Sequence, residues 1–181
     1  MEKGDQDLSG IKPIKMTDVP KIQADLRQRA AVEQMSKTDL IGRLIGQAGQ
    51  KGQEAAMTQE PDKVKKAEAA RIQVLNALNE ADIQQILEAC VEAVKRASAS
   101  GDERLKQAAG YYGPPEQVET RLKGQVEDGN RRLKRFQEEH AAKPDEKSEN
   151  RVIAAQLFLA ENVIGMWHMA KNAGISIRLS S

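Results

Sequence analysis

The sequence predicts an all-α fold: a single bundle of about six or seven helices behind a mobile N-terminal arm. Two observations carry this. The chain of 181 residues is 39% hydrophobic, yet it holds only one Trp, two Tyr and two Phe. Its core must therefore come from Leu, Ile, Val, Ala and Met, and most other positions are Ala, Gln, Glu, Lys or Arg, which favour helix over strand. The second observation is periodicity. Apolar residues recur at steps of three and four, and the stretches between them carry helix start and stop residues. A chain of this length buries roughly 70% of the surface it exposes when unfolded, enough for one ordinary domain.

Residues 1–19 hold Gly4, Gly10 and Pro13 among charges and read as the arm, leaving 20–181 as the bundle. From Pro20, Ile22, Leu26 and Ala30 repeat at four-residue spacing and predict a first helix. Ser36 and Asp39 offer a cap for a second helix beginning near Lys37. Pro61 suits the first turn of a third, along which Val64, Ala67, Val74, Leu75 and Leu78 share a face. Asn79 caps a fourth helix with the most regular stripe in the chain: Ile83, Ile86, Leu87, Cys90, Val91, Val94 and Ala97. Gly101 ends it. A short helix from Asp102 closes at Gly113, Pro114 and Pro115. Pro115 opens a long helix to about Ala142, with a seam of Val118, Leu122, Val126, Gly129, Leu133, Phe136 and His140. Pro144 breaks it, and a last helix covers about Glu149 to Ala173 with Gly174 as its stop.

Charge and cysteine content exclude several classes. The formal net charge is +1, from 28 basic and 27 acidic residues, so no global attraction to nucleic acid or anionic lipid exists and only a local patch would supply one. A single cysteine rules out an intramolecular disulfide. No run of ~18 uncharged apolar residues is present and the acidic, polar start does not read as a secretory signal, so no membrane span is expected. The expected location is the cytoplasm, or a virion or exterior reached without a cleavable signal.

No enzymatic set stands out. The two histidines, His140 and His168, fall on different helices, with no Cys or carboxylate at ligand spacing, so no metal is expected. Cys90 sits in mid-stripe and reads as a buried thiol. Glu161, two turns before His168, has the spacing to orient its imidazole, but no nucleophile accompanies them. No Walker-type or dinucleotide fingerprint occurs, and no cofactor is expected.

Three other stretches invite a functional reading. The first is the basic run Arg131, Arg132, Lys134 and Arg135, with Arg121 and Lys123 two turns upstream: a nucleic-acid or acidic-partner contact if these cations are unpaired on one face, and a solvated face if Glu127, Asp128, Glu138 and Glu139 pair with them. The second is the last helix. Its apolar face is so wide that it is either the centre of the bundle or a docking surface for a protein partner, with Phe158, Val163, Met166 and Trp167 as contacts. The third holds four glycines: Gly42, Gly46, Gly49 and Gly52. Leu40, Ile41, Leu44, Ile45 and Ala48 form a helical stripe in which Gly42 and Gly46 leave a groove for a neighbouring helix. Each glycine costs a helix about 0.8–1 kcal/mol, so regular helix is expected to about Ala48, with Gly46, Gly49 and Gly52 forming a hinge.

Some of these stretches also resemble known families. "IGQAGQKG", with Ile45, Gly46 and Gly49, resembles the nucleotide-clamping turn of KH modules, which implies a surrounding three-stranded sheet. Residues 106–124, with Ala109, Tyr112 and Gly113, resemble a helix-turn-helix unit whose reading helix would be "EQVETRL". Residues 81–115 are similar to the helix, Gly-Asp, helix, Gly-Pro segment of some phage small terminase subunits, implying DNA binding through 106–135. The expected function is non-enzymatic protein–protein association, as in a virion or secretion-apparatus component or adaptor, with self-association included; a DNA-binding accessory protein is the alternative.

Overall fold

Asn79 shows how local chemistry sets the helix boundaries. In the computed structural model, which describes residues 36–180, its Oδ1 accepts the Asp82 amide at 2.8 Å while its own N–H donates to Asp82 Oδ2 at 3.0 Å. This reciprocal cap satisfies donors that the first turn leaves without intrahelical partners. All the described helices, with no strand among them, are α1 (Lys37–Thr58), α2 (Pro61–Asn76), α3 (Glu80–Ser98), α4 (Glu103–Gly110), α5 (Pro115–Ala142) and α6 (Glu146–Asn172). The fold is all-α, as the composition predicts. The arm at 1–19 and the helix expected from Pro20 lie outside the described residues.

The helices pack as hairpins onto a shared core. α1 pairs with α2, and α5 with α6; α6 also packs on α2 and α3, and α4 rests mainly on α3. Every residue of the predicted α3 stripe is buried, from Ile83 to Ala97. Val163, Met166 and Trp167 of α6 are likewise in the core, so their predicted role as partner contacts is corrected: they pack within this chain, and only Phe158 of that set is exposed. By length and composition α6 holds an 18-residue window apolar enough to cross a membrane, because a few charges interrupt but do not outweigh its apolar residues. Nine of its residues are buried against neighbouring helices.

The expected break in α1 does not occur. The helix runs unbroken through Gly46, Gly49 and Gly52 to Thr58, and the chain turns instead at Gln59, whose φ is 54°. Ile41, Ile45, Ala48 and Ala55 form a stripe buried along the whole length, and this packing outweighs the glycine cost. Gly42 meets Trp167 Cζ2 at 3.4 Å from an added Cβ, whereas Gly46 faces nothing within 4 Å, so the predicted small-residue groove is used only at its first glycine.

Gly129 is the opposite case. An added Cβ there would run into the Leu159 side chain, which is 1% exposed and has no room to yield. α5 and α6 therefore approach closely at this point because the residue is glycine. Gly129→Ala is expected to cost about 1–3 kcal/mol in urea unfolding, the range for an overpacked core. Gly124→Ala in the same helix, with nothing within 4 Å, serves as the control and should not destabilise.

The C-terminal segment carries a feature the periodicity search passes over. After Gly174 (φ 75°) the chain leaves the helix, and Ile175, Ile177 and Leu179 alternate into the core. The Leu179 amide donates to Thr38 Oγ1 at 2.8 Å, tying the tail to the first turn of α1. Apolar–polar alternation in "ISIRL" is the signal that marks it.

Candidate functional site

The turn between α4 and α5 positions the most distinctive surface. Gly113, at φ 84°, lets the chain reverse directly before Pro114 and Pro115. The reversal sends Tyr112 inward and leaves Tyr111 85% exposed, their rings edge-to-face at 5.4 Å. Tyr112 hydrogen-bonds Cys90 on α3 and approaches Gly165 on α6, where an added Cβ would stand 3.5 Å from its hydroxyl. Arg121, one turn along α5 from Val118, donates from Nη1 to the Tyr112 carbonyl at 3.2 Å.

These groups line a cleft of about 380 Å³ between the turn, α5 and α6, which Gln125, Glu161 and Asn162 complete. Glu161 is held at 2.6 Å by Arg71 of α2, not by His168, so the predicted Glu161–His168 alignment is not used. Farther along the same side, the Arg132 guanidinium lies 6.0 Å from the centre of the Phe158 ring. Phe158 is 44% exposed. Arg151 reaches Glu139 at 3.5 Å across the far end. The seam between α5 and α6 thus carries two exposed aromatic rings, Tyr111 at the cleft and Phe158 farther along beside Arg132.

The six predicted basic contacts do not form one face. At about 100° per residue, positions two apart project to nearly opposite sides of a helix. Arg121 and Arg132 thus share one side, whereas Lys123 and Lys134 point away from it. Lys123 Nζ is 2.9 Å from Glu119, an ion pair that lowers the Glu119 carboxyl and raises the Lys123 ammonium. Arg131 pairs with Asp128, and Arg135 lies 3.8 Å from Glu139 and over the Phe136 ring. The condition for a nucleic-acid face, all six cations unpaired on one side, is not met.

The DNA-binding resemblances meet similar trouble. α4 packs on α3 and α6, so it does not form the paired unit that a helix-turn-helix needs. The KH likeness fails because its glycines lie inside α1 and no strand occurs among the described residues.

One cluster has the residue types of a hydrolase. His140 Nδ1 and Ser148 Oγ stand 2.7 Å apart, with Asp145 three residues before the serine. The carboxylate, however, accepts the Ser148 amide at 2.7 Å and not the imidazole, and this bond with the neighbouring serine holds its carboxyl below the usual range. The Lys143 and Asp145 carbonyls stand 3.1 and 3.0 Å from Ser148 Oγ and compete for its single proton. The group closes the α5–α6 loop; it is not arranged as a charge-oriented nucleophile. Among the described residues no three His, Cys, Asp or Glu side chains gather to hold a metal ion.

Cys90 is fully buried, and burial raises its thiol to about 11 against an ordinary value of 9.0, with the Tyr112 hydrogen bond acting in the other direction. Because the folded value lies above the unfolded one, this contribution to stability is complete below pH 9 and is lost as pH rises towards 11. Unfolding at pH 8 and pH 10.5 should show a loss at high pH that shrinks in Cys90→Ala, and native Cys90 should resist iodoacetamide until the chain unfolds.

No protein-family model, curated protein or solved structure matches the chain.

Proposed function

We propose that this chain is a non-enzymatic protein-association module and that the groove along α5 and α6 is its docking face. One observation carries the reading: Tyr111 and Phe158, two of the chain's few aromatic residues, are exposed on the α5–α6 pair, Tyr111 beside Arg121 at the cleft and Phe158 beside Arg132 farther along. Tyr and Arg dominate the energetic centres of protein interfaces, where a planar side chain gives contact area at low entropic cost.

The test is selection of a random-peptide display library on the full chain. Enriched peptides should bind the wild type and lose about ten-fold or more in affinity on Tyr111→Ala with Phe158→Ala, as hot-spot truncations do. An absence of enrichment, or peptides indifferent to both substitutions, would count against the reading. Self-association is one form of the same function. Light scattering that finds a defined oligomer, reduced to monomer by the same pair of substitutions, would identify a second copy as the partner.

A further inference from the structure

Resting on the docking role just proposed, we infer that the groove takes an acidic peptide segment of a protein partner, with two carboxylates flanking an apolar centre. The charge pattern points to this class. Of the arginines along the groove, Arg135 and Arg151 lie against Glu139. Arg121 and Arg132 have no carboxylate partner among the described residues: Arg121 spends one N–H on the Tyr112 carbonyl, and Arg132 rests near Phe158. Guanidinium groups left with free donors on one face are set to receive carboxylates in bidentate geometry.

Their spacing sets the length of the ligand. Eleven residues of helix separate them, about 16 Å at 1.5 Å per residue. Side chains alternate along an extended peptide, so two carboxylates facing the same way stand four residues apart, about 13 Å at ~3.3 Å each. The flexible arginine and glutamate side chains span the remainder. Between the two arginines lie Gln125 and Asn162, whose carboxamides match the donor and acceptor pairs of a peptide backbone. Phe158, beside Arg132, gives the apolar residues next to that end a ring to cover.

A nucleic-acid strand fits less well. It carries a charge on every phosphate, and between the arginines the groove presents Asp128 and Glu161, each already held by a cation of this chain. Two positive positions separated by acidic ones suit a ligand charged at its ends and neutral between them.

The experiment is fluorescence anisotropy on the full chain with the labelled peptide Glu-Ala-Leu-Ala-Glu, its versions with Lys or Gln at both ends, and a short oligothymidine. The glutamate peptide should bind about ten-fold more tightly than the glutamine version, with the lysine version weakest. Arg121→Ala and Arg132→Ala should each weaken it about five-fold, whereas Lys134→Ala, on the opposite side of α5, should leave it unchanged. Among the described residues Arg132→Ala breaks no hydrogen bond or ion pair, so its result does not depend on folding at the Gly113 turn. Equal binding of the three peptides, indifference to both arginines, or tighter binding of the oligothymidine would overturn the inference. If the acidic peptide fails while display-selected peptides of other chemistry still bind, the partner class is wrong and the docking role stands; if neither binds, both fall.

Discussion

Lys37→Met is expected to cost about 3–5 kcal/mol of stability, the range for stranding one member of a buried ion pair. Lys37 opens α1 and pairs with Asp82 of α3, whose side chain is 1% exposed. Asp82 retains the Asn79 amide as a donor, but without the ammonium its buried charge has lost its counter-charge. The reverse substitution should be milder. In Asp82→Asn the Lys37 side chain, 20% exposed, swings its ammonium into water along a flexible stem. What remains is a weakened cap, worth about 1–2 kcal/mol. Guanidinium chloride unfolding of both variants checks the asymmetry, which a surface ion pair would not show.

The second large effect runs the other way. Gly46→Ala, Gly49→Ala and Gly52→Ala together should stabilise the protein by about 2–3 kcal/mol, since each Ala gains ~0.8–1 kcal/mol over Gly inside a helix. None of the three has a neighbour within 4 Å of an added Cβ, so no clash offsets the gain. Thermal unfolding gives the answer. A loss of stability would mean that α1 bends at these glycines in the working protein and that the hinge expected from the sequence operates despite the continuous helix.

Helix boundaries are legible where the signal is local. Asn79, Pro61, Pro115 and Gly174 each act within one turn of their own position, and each marks a boundary in the structure. The end of α1 was not legible, because summing glycine costs leaves out what burial of Ile41, Ile45, Ala48 and Ala55 returns. α2 stops at Asn76, short of its apolar pattern at Leu78, because Asn79 must leave helical geometry to cap α3. The tail at 175–179 follows a period of two, which a search for helical periods misses.

The candidate site was only partly readable. The breadth of the α6 apolar face was plain from sequence, but its division into core (Val163, Met166, Trp167) and surface (Phe158) depends on which helices pack against it. The basic run likewise looked like one patch, and helical geometry splits it in two. Tyr111 and Tyr112 are adjacent in sequence and opposite in role. Only the turn at Gly113 decides which of them meets Cys90 and which meets solvent.

The docking face is tested most directly by mapping amide chemical-shift changes in the full chain as the acidic peptide is titrated. Shifts are expected at Tyr111 and Tyr112, along α5 from Arg121 to Arg132, and along α6 from Phe158 to Gly165. Changes concentrated instead on the α1–α2 hairpin, or saturating shifts that spare Arg121, Arg132 and Phe158, would contradict the assignment.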